Sequence, residues 1–234
     1  MTLHSATRRL CYAGLAAGAG MPPTAASPVR RIRGVVFDMD GTLTLPQSNF
    51  IGRMRRELAV PDGTDVLAHA ASLEAKARLA AEQLIKQIED EAMLTMEMQP
   101  GLETLVEFLE AHQLPKAILT RNNRDTVQHF LALREPHHRF DPLVTRDFLP
   151  PKPAPDPLLH IARTWGIAPE ELLMVGDHLD DLACARAAGA ASVLLRNPKN
   201  AHFEPNADRS VHRLDDIIPL LQNGFCVERA DPSS

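Results

Sequence analysis

Two carboxylates stand two positions apart in the segment GVVFDMDGTLT, residues 34–44, where an apolar run ends. The letters VVF predict a short buried strand, because branched and aromatic side chains suit a covered sheet. Asp38 and Asp40 follow it almost at once. Two ionised carboxylates so close together repel each other and resist burial. We therefore expect this turn to serve chemistry, although an ordinary turn with an Asx hydrogen bond is the alternative.

Three further polar side chains stand where other apolar segments end. Thr120 ends KAILT, Asp177 ends ELLMVGD, and Lys152 lies in the loop LPPKPAPD after the next strand pattern. The ligands of an open parallel sheet collect at the carboxyl ends of its strands. If these strands are neighbours, two acids, a hydroxyl, an ammonium and a distal carboxylate converge on one point. The alternatives are a packed strand-end residue for Thr120, a solvated loop residue for Lys152 and a helix N-cap for Asp177.

The second half of the chain alternates predicted strands with predicted helices. After KAILT come the helix NNRDTVQHFLAL, a short strand in DPLVTRDF and the helix DPLLHIARTWG. The strands ELLMVGD and ASVLLR then flank the helix HLDDLACARAAG, and LDDIIPLL is a last short helix. Near-continuous apolar strands in this order predict a doubly wound α/β fold, with a parallel sheet covered by helices on both faces.

A helical segment interrupts this pattern after the first strand. Within residues 46–97, FIGRMRRELAV predicts a short amphipathic helix and SLEAKARLAAEQLIKQIEDEAMLTM a long one, because apolar residues recur near helical spacing. We therefore predict a core built from residues 32–45 and 98–222, with a small helical cap domain at 46–97 inserted after the first strand.

The segments DMDGTLT, AILT, PKPAPD and GDHLDD, in that order, resemble the four motifs of the haloacid dehalogenase-like hydrolase superfamily. The match covers roughly residues 32–220. Closest in pattern are the phosphoglycolate phosphatase-like members, whose helical cap lies between the first and second motifs. The resemblance implies a Rossmann-like parallel sheet, which agrees with the strand and helix pattern.

The resemblance also implies phosphoryl transfer through an aspartyl-phosphate. Asp38 would be the nucleophile, and Asp40 the acid that protonates the leaving alkoxide and then the base that activates water. Mg²⁺ would be held by Asp38, Asp177 and the backbone carbonyl of Asp40. The ion and Lys152 would remove the repulsion between an attacking carboxylate and a phosphate dianion. These two cations would explain why two neighbouring acids are tolerated.

Binding roles follow from the same resemblance. Thr120, with backbone N–H groups at the following helix start, would bind the phosphoryl oxygens, and Arg121 either helps or points to solvent. Asp181 would orient the lysine of the third motif or support a metal-bound water. Helix phase leaves Asp180 as an alternative, and we favour Asp181. We interpret His178 as an exposed loop residue.

Two other groups of charged or titratable side chains have weaker interpretations. Arg53, Arg55 and Arg56 could reach a second anionic group of the substrate, although the solvated face of a short helix is the favoured interpretation. His137 and His138, in EPHHRF, have no other candidate ligands nearby in sequence. We interpret them as solvated loop residues and not as metal ligands.

These features predict Mg²⁺-dependent hydrolysis of a small-molecule phosphomonoester. A cap of about fifty residues would close over the site and favour a small phosphorylated metabolite as substrate. A dehalogenase needs no second acid, so Asp40 argues against that chemistry. A phosphosugar mutase of the same superfamily stays an alternative. A catalytically silent binding protein on this fold also stays one, although such a protein would be expected to lose acids that are present here.

Charge and cysteine usage exclude some other classes. Residues 1–33 carry five arginines and no acid, so the remainder holds 20 basic and 30 acidic side chains. Such an acidic body does not fit a nucleic-acid binder, and no segment after the leader approaches the roughly 18 apolar residues of a membrane span. Cys11, Cys184 and Cys226 are widely scattered, which predicts unpaired thiols in a reducing compartment.

The two ends of the chain are predicted to lie outside the core. Residues 1–31 are free of acids and rich in alanine, glycine and serine, which is typical of a mitochondrial or plastid transit peptide. A disordered leader is the alternative. The apolar centre is too weak for secretion, so we expect a cytoplasmic, mitochondrial or plastid protein. Residues 223–234 are predicted to be a tail, and the sequence leaves the oligomeric state open.

Overall fold

The computed structural model describes residues 7–15, 29–134 and 139–230 of the chain. Its strands in chain order are β1 (Thr7–Ala13), β2 (Val29–Arg31), β3 (Gly34–Phe37), β4 (Lys116–Leu119), β5 (Leu143–Val144), β6 (Leu172–Gly176), β7 (Ala191–Leu195), β8 (Arg209–Val211) and β9 (Gly224–Ala230).

The α-helices are α1 (Ser48–Glu57), α2 (Val66–Ser72), α3 (Ala75–Met93), α4 (Leu102–Ala111), α5 (Arg124–Ala132), α6 (Asp156–Trp165), α7 (Leu179–Ala188) and α8 (Ile217–Asn223). Short 3₁₀ helices cover Pro169–Glu171, Ala201–Asn206 and Leu214–Asp216.

Six strands form one parallel sheet in the order β5-β4-β3-β6-β7-β8. Every residue of the four central strands is buried. Alternate side chains of a strand point to opposite faces of the sheet. Val35 and Phe37 thus join a hydrophobic cluster with α4 and α8, whereas Val36 joins a second cluster with α6 and α7. Helices cover both faces, which confirms the predicted doubly wound, Rossmann-like parallel sheet.

The helices that follow the strands begin and end at residues with clear capping roles. Asn123 accepts a hydrogen bond from the backbone N–H of Thr126 at 2.8 Å and so begins α5. Gly166 and Gly189 end α6 and α7 with φ values of 62° and 83°. Glycine adopts this left-handed conformation without a steric cost, so both predicted helix ends are where the sequence places them.

Helices α1, α2 and α3 lie in the chain between β3 and α4, and their buried side chains form a separate hydrophobic cluster. Ile88 of α3 and Met54 of α1 belong to it. The backbone N–H of Leu45 donates to the carbonyl of Glu97 at 2.9 Å, so the two ends of this segment meet. We call residues 46–97 the cap, and its domain boundaries stay a prediction.

The remaining strands form a second sheet in the order β2-β1-β9, in which β1 and β9 are antiparallel. The prediction of a disordered leader over residues 1–31 is therefore wrong for 7–13 and 29–31. The prediction of a tail over 223–234 is wrong for 224–230. The physical reason is burial, because alternate residues of β1 and β9 enter the core cluster: Leu10, Tyr12, Phe225 and Val227.

Two of the three cysteines are paired within this second sheet. Cys11 and Cys226 lie directly opposite each other on β1 and β9 and form a disulfide. The prediction of unpaired thiols is wrong for these two, whereas Cys184 is a free, buried cysteine. A separation of 215 residues hides the pair in the sequence, because only the strand register brings the two side chains together.

A partly buried ion pair connects β9 to the main sheet. Arg229 Nε donates to Asp208 Oδ1 at 2.8 Å, and Arg229 Nη2 donates to the carbonyl of Ala190 at 2.6 Å. Asp208 also accepts from the backbone N–H of Ser192 at 2.9 Å. Buried charges are tolerated when they are paired and hydrogen-bonded in this way. The last strand is therefore part of the packed fold.

Some sequence-based interpretations fall on residues without a described structure. His137 and His138 are among them, as are 1–6 and 16–28 of the leader, so the transit-peptide hypothesis stays a prediction. Across the described ranges, none of the helices has the length and apolar character needed to cross a membrane.

Phe225 tests whether β9 is a packed strand or a tail. Its ring stacks on Tyr12 with a centroid distance of 4.8 Å. Phe225→Ala should lower the free energy of unfolding by about 3 kcal/mol, because it removes buried aromatic surface and leaves a cavity. Urea unfolding measures this change. Leu133→Ala, which truncates an exposed side chain, is the control and should change stability by less than about 0.5 kcal/mol. An unchanged unfolding midpoint for Phe225→Ala would restore the tail interpretation.

Candidate active site

Three adjacent strands end at the same edge of the sheet, and each is followed by a polar side chain. Strand β3 pairs in parallel with β4 on one side and with β6 on the other. Asp38, Thr120 and Asp177 are the first residues after these strands. Asp38 and Thr120 are buried, and Asp177 is half-buried. The parallel pairing therefore brings three of the predicted site residues to one edge.

Lys152 reaches this edge from the proline-rich loop before α6. Its ammonium donates to Asp38 Oδ1 at 2.7 Å, to Asp181 Oδ1 at 2.6 Å and to the carbonyl of Leu119 at 2.8 Å. Burial disfavours the charged ammonium, but the attraction of Asp181 and Asp38 outweighs it and raises the pKa of Lys152. Lys152 therefore stays protonated, with all three of its hydrogen-bond donors in use.

The carboxylates of Asp38, Asp177 and Asp181 form a compact cluster, with one oxygen from each within 4.8 Å of the others. Burial and the charge of Asp181 raise the pKa of Asp38 to about 6, against the opposing effect of Lys152. Burial and the charges of Asp38 and Asp181 raise the pKa of Asp177 to about 8. The cluster thus carries more negative charge than one lysine balances. Oxygen donors with excess negative charge fit a hard divalent cation.

The backbone beside this cluster is shaped by a glycine. Gly41 has a φ of +80°, and a Cβ added to it would lie 2.3 Å from Asp177 Oδ2. Any side chain at this position would fill the space beside that carboxylate. Gln99 Nε2 donates to the carbonyl of Gly41 at 2.9 Å and holds the turn in place. The glycine of the first motif therefore keeps room next to Asp177.

Asp40 points to a different partner from that of Asp38. Asn122 Nδ2 donates to Asp40 Oδ2 at 2.8 Å. Burial and the charge of Asp38 raise the pKa of Asp40 to about 6, although the bond from Asn122 opposes this shift. The two acids that the sequence places two positions apart thus occupy separate environments. Such a carboxyl can hold or release a proton near neutral pH.

The segment that contains the four predicted motifs also matches a known protein family. A family model described as haloacid dehalogenase-like hydrolase matches residues 32–189, which is more than half of the chain. The chain belongs to this family. The resemblance inferred from the four motifs is thereby confirmed, and so is the prediction that the protein is a hydrolase.

Individual relatives agree with this membership. The chain is 41% identical over 203 residues to an uncharacterized hydrolase of Saccharomyces cerevisiae, an alignment that covers 83% of this chain and 93% of the yeast protein. It is 30% identical over 223 residues to a phosphoglycolate phosphatase of Chromobacterium violaceum, covering 84% and 99%. A crystal structure described as a predicted phosphoglycolate phosphatase of Haemophilus somnus has the same fold, with a TM-score of 0.68, 22% identity and coverage of 82% and 98%. The predicted phosphoglycolate phosphatase-like membership is confirmed.

In this haloacid dehalogenase-like hydrolase, Asp180 and Asp181 lie in the first turn of α7. The side chain of Asp181 points into the site, whereas that of Asp180 lies at its edge. Asp181 is buried, and Asp181 Oδ2 accepts from the backbone N–H of His178 at 3.1 Å. Asp180 lies near the exposed ring of His178, with Nδ1 and Oδ2 3.6 Å apart. The favoured orientation of Asp181 is what the structure shows, and His178 is exposed as interpreted.

Arg121 connects the cap to the core. Its Nη2 lies 2.6 Å from Asp65 Oδ2 at the start of α2, and its Nη1 lies 3.5 Å from Asp180 Oδ2. The sequence predicts a contact with phosphate or with solvent at this position. The guanidinium is instead shared by two carboxylates, so a phosphate-binding role for Arg121 stays a prediction.

A second connection between cap and core involves a buried glutamate that sequence analysis did not single out. Glu89 of α3 is 9% exposed, and its Oε1 accepts from Arg146 Nη1 at 2.6 Å. Its Oε2 accepts from Asn123 Nδ2 at 2.7 Å. Glu89 of the cap is therefore bound by two side chains of the core, Arg146 and Asn123.

The cap arginines make contacts inside the cap. Arg53 Nε donates to Glu57 at 2.6 Å, and its Nη1 donates to Glu91. Arg55 donates to two carbonyls of the loop before α2, at 2.7 and 2.9 Å. Arg56 is exposed. Of the three, only Arg56 fits the favoured interpretation of a solvated helix face, because Arg53 and Arg55 are half-buried and bound within the cap.

Three asparagines around the site were also missed, and each follows a strand. Asn122 stands two residues after Thr120, whereas Asn197 and Asn200 follow β7. Asn197 Nδ2 donates to Asp177 Oδ2 at 3.1 Å, and Asn200 Nδ2 donates to the carbonyl of Asp177 at 2.8 Å. The rule that ligands collect at strand ends would have found them if it had been applied to TRNN and NPKN.

The raised carboxyl pKa values predict how stability depends on pH. In the unfolded chain these groups titrate near 4. In the folded protein Asp38 and Asp40 titrate at about 6 and Asp177 at about 8. Between about pH 4 and pH 8 the folded protein therefore binds more protons than the unfolded chain does. The stability that this proton binding contributes is complete below about pH 4 and is lost as pH rises to about 8. We expect the thermal unfolding midpoint in EDTA to fall over this window.

Mg²⁺ should raise the unfolding midpoint more at about pH 8 than at about pH 5, because its ligands must be ionised to bind. Asp177→Asn removes the group with the highest pKa, so it should flatten the pH dependence and weaken the Mg²⁺ effect. A thermal scan at both pH values, with EDTA and with Mg²⁺, measures this. An equal Mg²⁺ effect at both pH values in the wild type would contradict the carboxylate site.

Proposed function

We propose that this hydrolase is a Mg²⁺-dependent phosphatase that hydrolyses a small-molecule phosphomonoester through an aspartyl-phosphate. The observation that carries the proposal is the buried ammonium of Lys152, which binds Asp38 and Asp181 beside a further carboxylate. An anion attacks a phosphate dianion only where cations offset the repulsion. The name of the Chromobacterium relative, a phosphoglycolate phosphatase, supports the same reaction class.

Asp38, Asp177 and the backbone carbonyl of Asp40 would hold the Mg²⁺. These are oxygen ligands, as the ion prefers, and Gly41 leaves room beside Asp177. When bound, the ion would neutralise negative charge on the attacking carboxylate and on the phosphate. Asp181 is already bound to Lys152, so we assign it to orienting that lysine.

Asp38 acts as the nucleophile. One of its carboxylate oxygens forms a bond to phosphorus while the bond between phosphorus and the ester oxygen breaks. Lys152 keeps this carboxylate ionised by attraction and fixes its orientation through Oδ1. The second half-reaction transfers the phosphoryl group to water and regenerates Asp38.

Asp40 moves the proton in both half-reactions. Asn122 binds Oδ2, so the proton is expected on Oδ1. Asp40 first donates it to the leaving alkoxide, then takes a proton from the water that attacks phosphorus. A pKa of about 6 lets one carboxyl serve in both directions near neutral pH.

Thr120 and the cap restrict what is bound. The Thr120 hydroxyl oxygen accepts from the backbone N–H of Asn122 at 3.1 Å, which leaves its own proton to be donated to a phosphoryl oxygen. Arg121 would have to leave one of its two carboxylates to bind phosphate. The cap contacts the core through Asp65 and Glu89, which supports a small substrate.

Asp38→Asn should lower kcat/KM for small phosphate esters by at least about a thousandfold, because the amide is not a nucleophile for phosphorus. Release of free phosphate measures the reaction and separates hydrolysis from a mutase, which returns the phosphoryl group to a sugar. Asp90→Asn, an exposed carboxylate on the cap, is the control and should retain wild-type turnover. Wild-type turnover by Asp38→Asn would show that Asp38 is not the nucleophile. Equal rates in Mg²⁺ and in EDTA would show that the reaction needs no metal.

Asp40→Asn should separate the two half-reactions. With p-nitrophenyl phosphate the leaving group needs no proton, so the first step continues while water is no longer activated. We expect a burst of about one nitrophenolate per enzyme, followed by a slow steady state. Stopped-flow absorbance measures the burst, and intact-mass spectrometry detects the phosphoryl-enzyme. A steady-state rate equal to that of the wild type would remove Asp40 from acid–base catalysis.

A further inference from the structure

We propose that the cap selects a leaving group without negative charge, namely a hydroxylated or amine-bearing alcohol, and that Glu89 is the residue that excludes a carboxylate. This inference rests on the proposed phosphatase function. It concerns the part of the substrate that lies beyond the phosphoryl group.

The position of Glu89 places it beside the leaving group. Asp40 must lie within hydrogen-bond reach of the leaving oxygen in order to protonate it. Asp40 is bound by Asn122, and Glu89 is bound by Asn123, the next residue of the same loop, at 2.8 and 2.7 Å. Two neighbouring residues of one loop thus bind Asp40 and Glu89, and in the proposed binding mode the group attached to the leaving oxygen lies on the Glu89 side of Asp40.

Acidic side chains outnumber cationic ones where the cap meets the core. Asp65, Asp180 and Glu89 share two arginines, Arg121 and Arg146, so one negative charge of this group is left unbalanced. A carboxylate on the leaving group would enter the same negative potential. Repulsion between like charges in a buried site is weakly screened by salt.

The cations around the site offer no free positive charge to offset this repulsion. Arg146 binds both oxygens of Glu89, at 2.6 and 3.3 Å. Arg121 lies between two carboxylates, and Lys152 lies between two others. Among the described residues, the cationic side chains that border the site are therefore paired. A bound carboxylate would have to break one of these pairs.

Hydroxyl and amine groups face no such conflict. A hydroxyl can donate to the oxygens of Glu89, and an ammonium can pair with them. The phosphoglycolate phosphatase relatives are named for a substrate that carries a carboxylate. The cap of this chain points to a different preference within the same family.

Three esters of nearly equal size test the inference: 2-phosphoglycolate, 2-hydroxyethyl phosphate and O-phosphoethanolamine. They differ at one end, which is anionic, neutral or cationic. With Mg²⁺ in excess, kcat/KM for 2-phosphoglycolate should be at least about tenfold below that for 2-hydroxyethyl phosphate, while O-phosphoethanolamine should match or exceed the neutral ester. Equal or faster hydrolysis of 2-phosphoglycolate would overturn the inference and leave the proposed phosphatase intact.

Glu89→Gln assigns the selection to one residue. The substitution removes the charge, keeps the size of the side chain and leaves Arg146 without its carboxylate partner. It should raise kcat/KM for 2-phosphoglycolate relative to the neutral ester by about tenfold. Glu82→Gln, on the exposed face of the same helix, is the matched control and should leave the ratio at its wild-type value.

The outcomes separate the two proposals. A wild-type ratio in Glu89→Gln would overturn the role of Glu89. Absence of hydrolysis for all three esters and for p-nitrophenyl phosphate would overturn the phosphatase proposal, and the selectivity inference would fall with it. The wild-type series decides the charge preference even if Glu89→Gln folds poorly, which its thermal unfolding midpoint would reveal.

Discussion

The buried ammonium of Lys152 is the interaction on which the rest of the site depends. Three acidic side chains crowd one edge of the sheet, and burial alone would drive them to the neutral form. Lys152 binds Asp38 and Asp181 together and uses its third proton on the carbonyl of Leu119. One positive charge cannot balance three carboxylates, which is why we propose that a divalent cation binds beside them.

The parallel sheet fixes the positions of these charged side chains. Strands β4, β3 and β6 are adjacent and buried, so the residues that follow them have little freedom of position. Backbone and side-chain amides then set the remaining distances. Asn122 holds Asp40, whereas Asn197 and Asn200 hold Asp177. In the first motif, Lys152 binds Asp38 whereas Asn122 binds Asp40, so these two acids occupy environments distinct enough for different roles.

The cap and the terminal strands add features that the core alone does not require. Arg121 and Glu89 each place a charged contact between cap and core. Together these contacts set three acidic side chains, Asp65, Asp180 and Glu89, against two arginines, which bears on the proposed choice of leaving group. In the second sheet, a disulfide joins β1 to β9, and Arg229 of β9 binds Asp208 beside the main sheet.

The sequence by itself determined most of the order of strands and helices from residue 34 to the last helix, because periodicity is a property of near neighbours. It did not predict β8, which has only three residues. It also determined Asp38, Thr120, Lys152 and Asp177 as a set, because each follows or precedes a recognisable apolar segment. Only the tertiary structure decided the pairing of β1 with β9, the inward turn of Asp181 and the contact between Glu89 and Arg146. Strand register, helix rotation and cap placement join residues far apart in the chain, and no local pattern encodes the partner of a side chain.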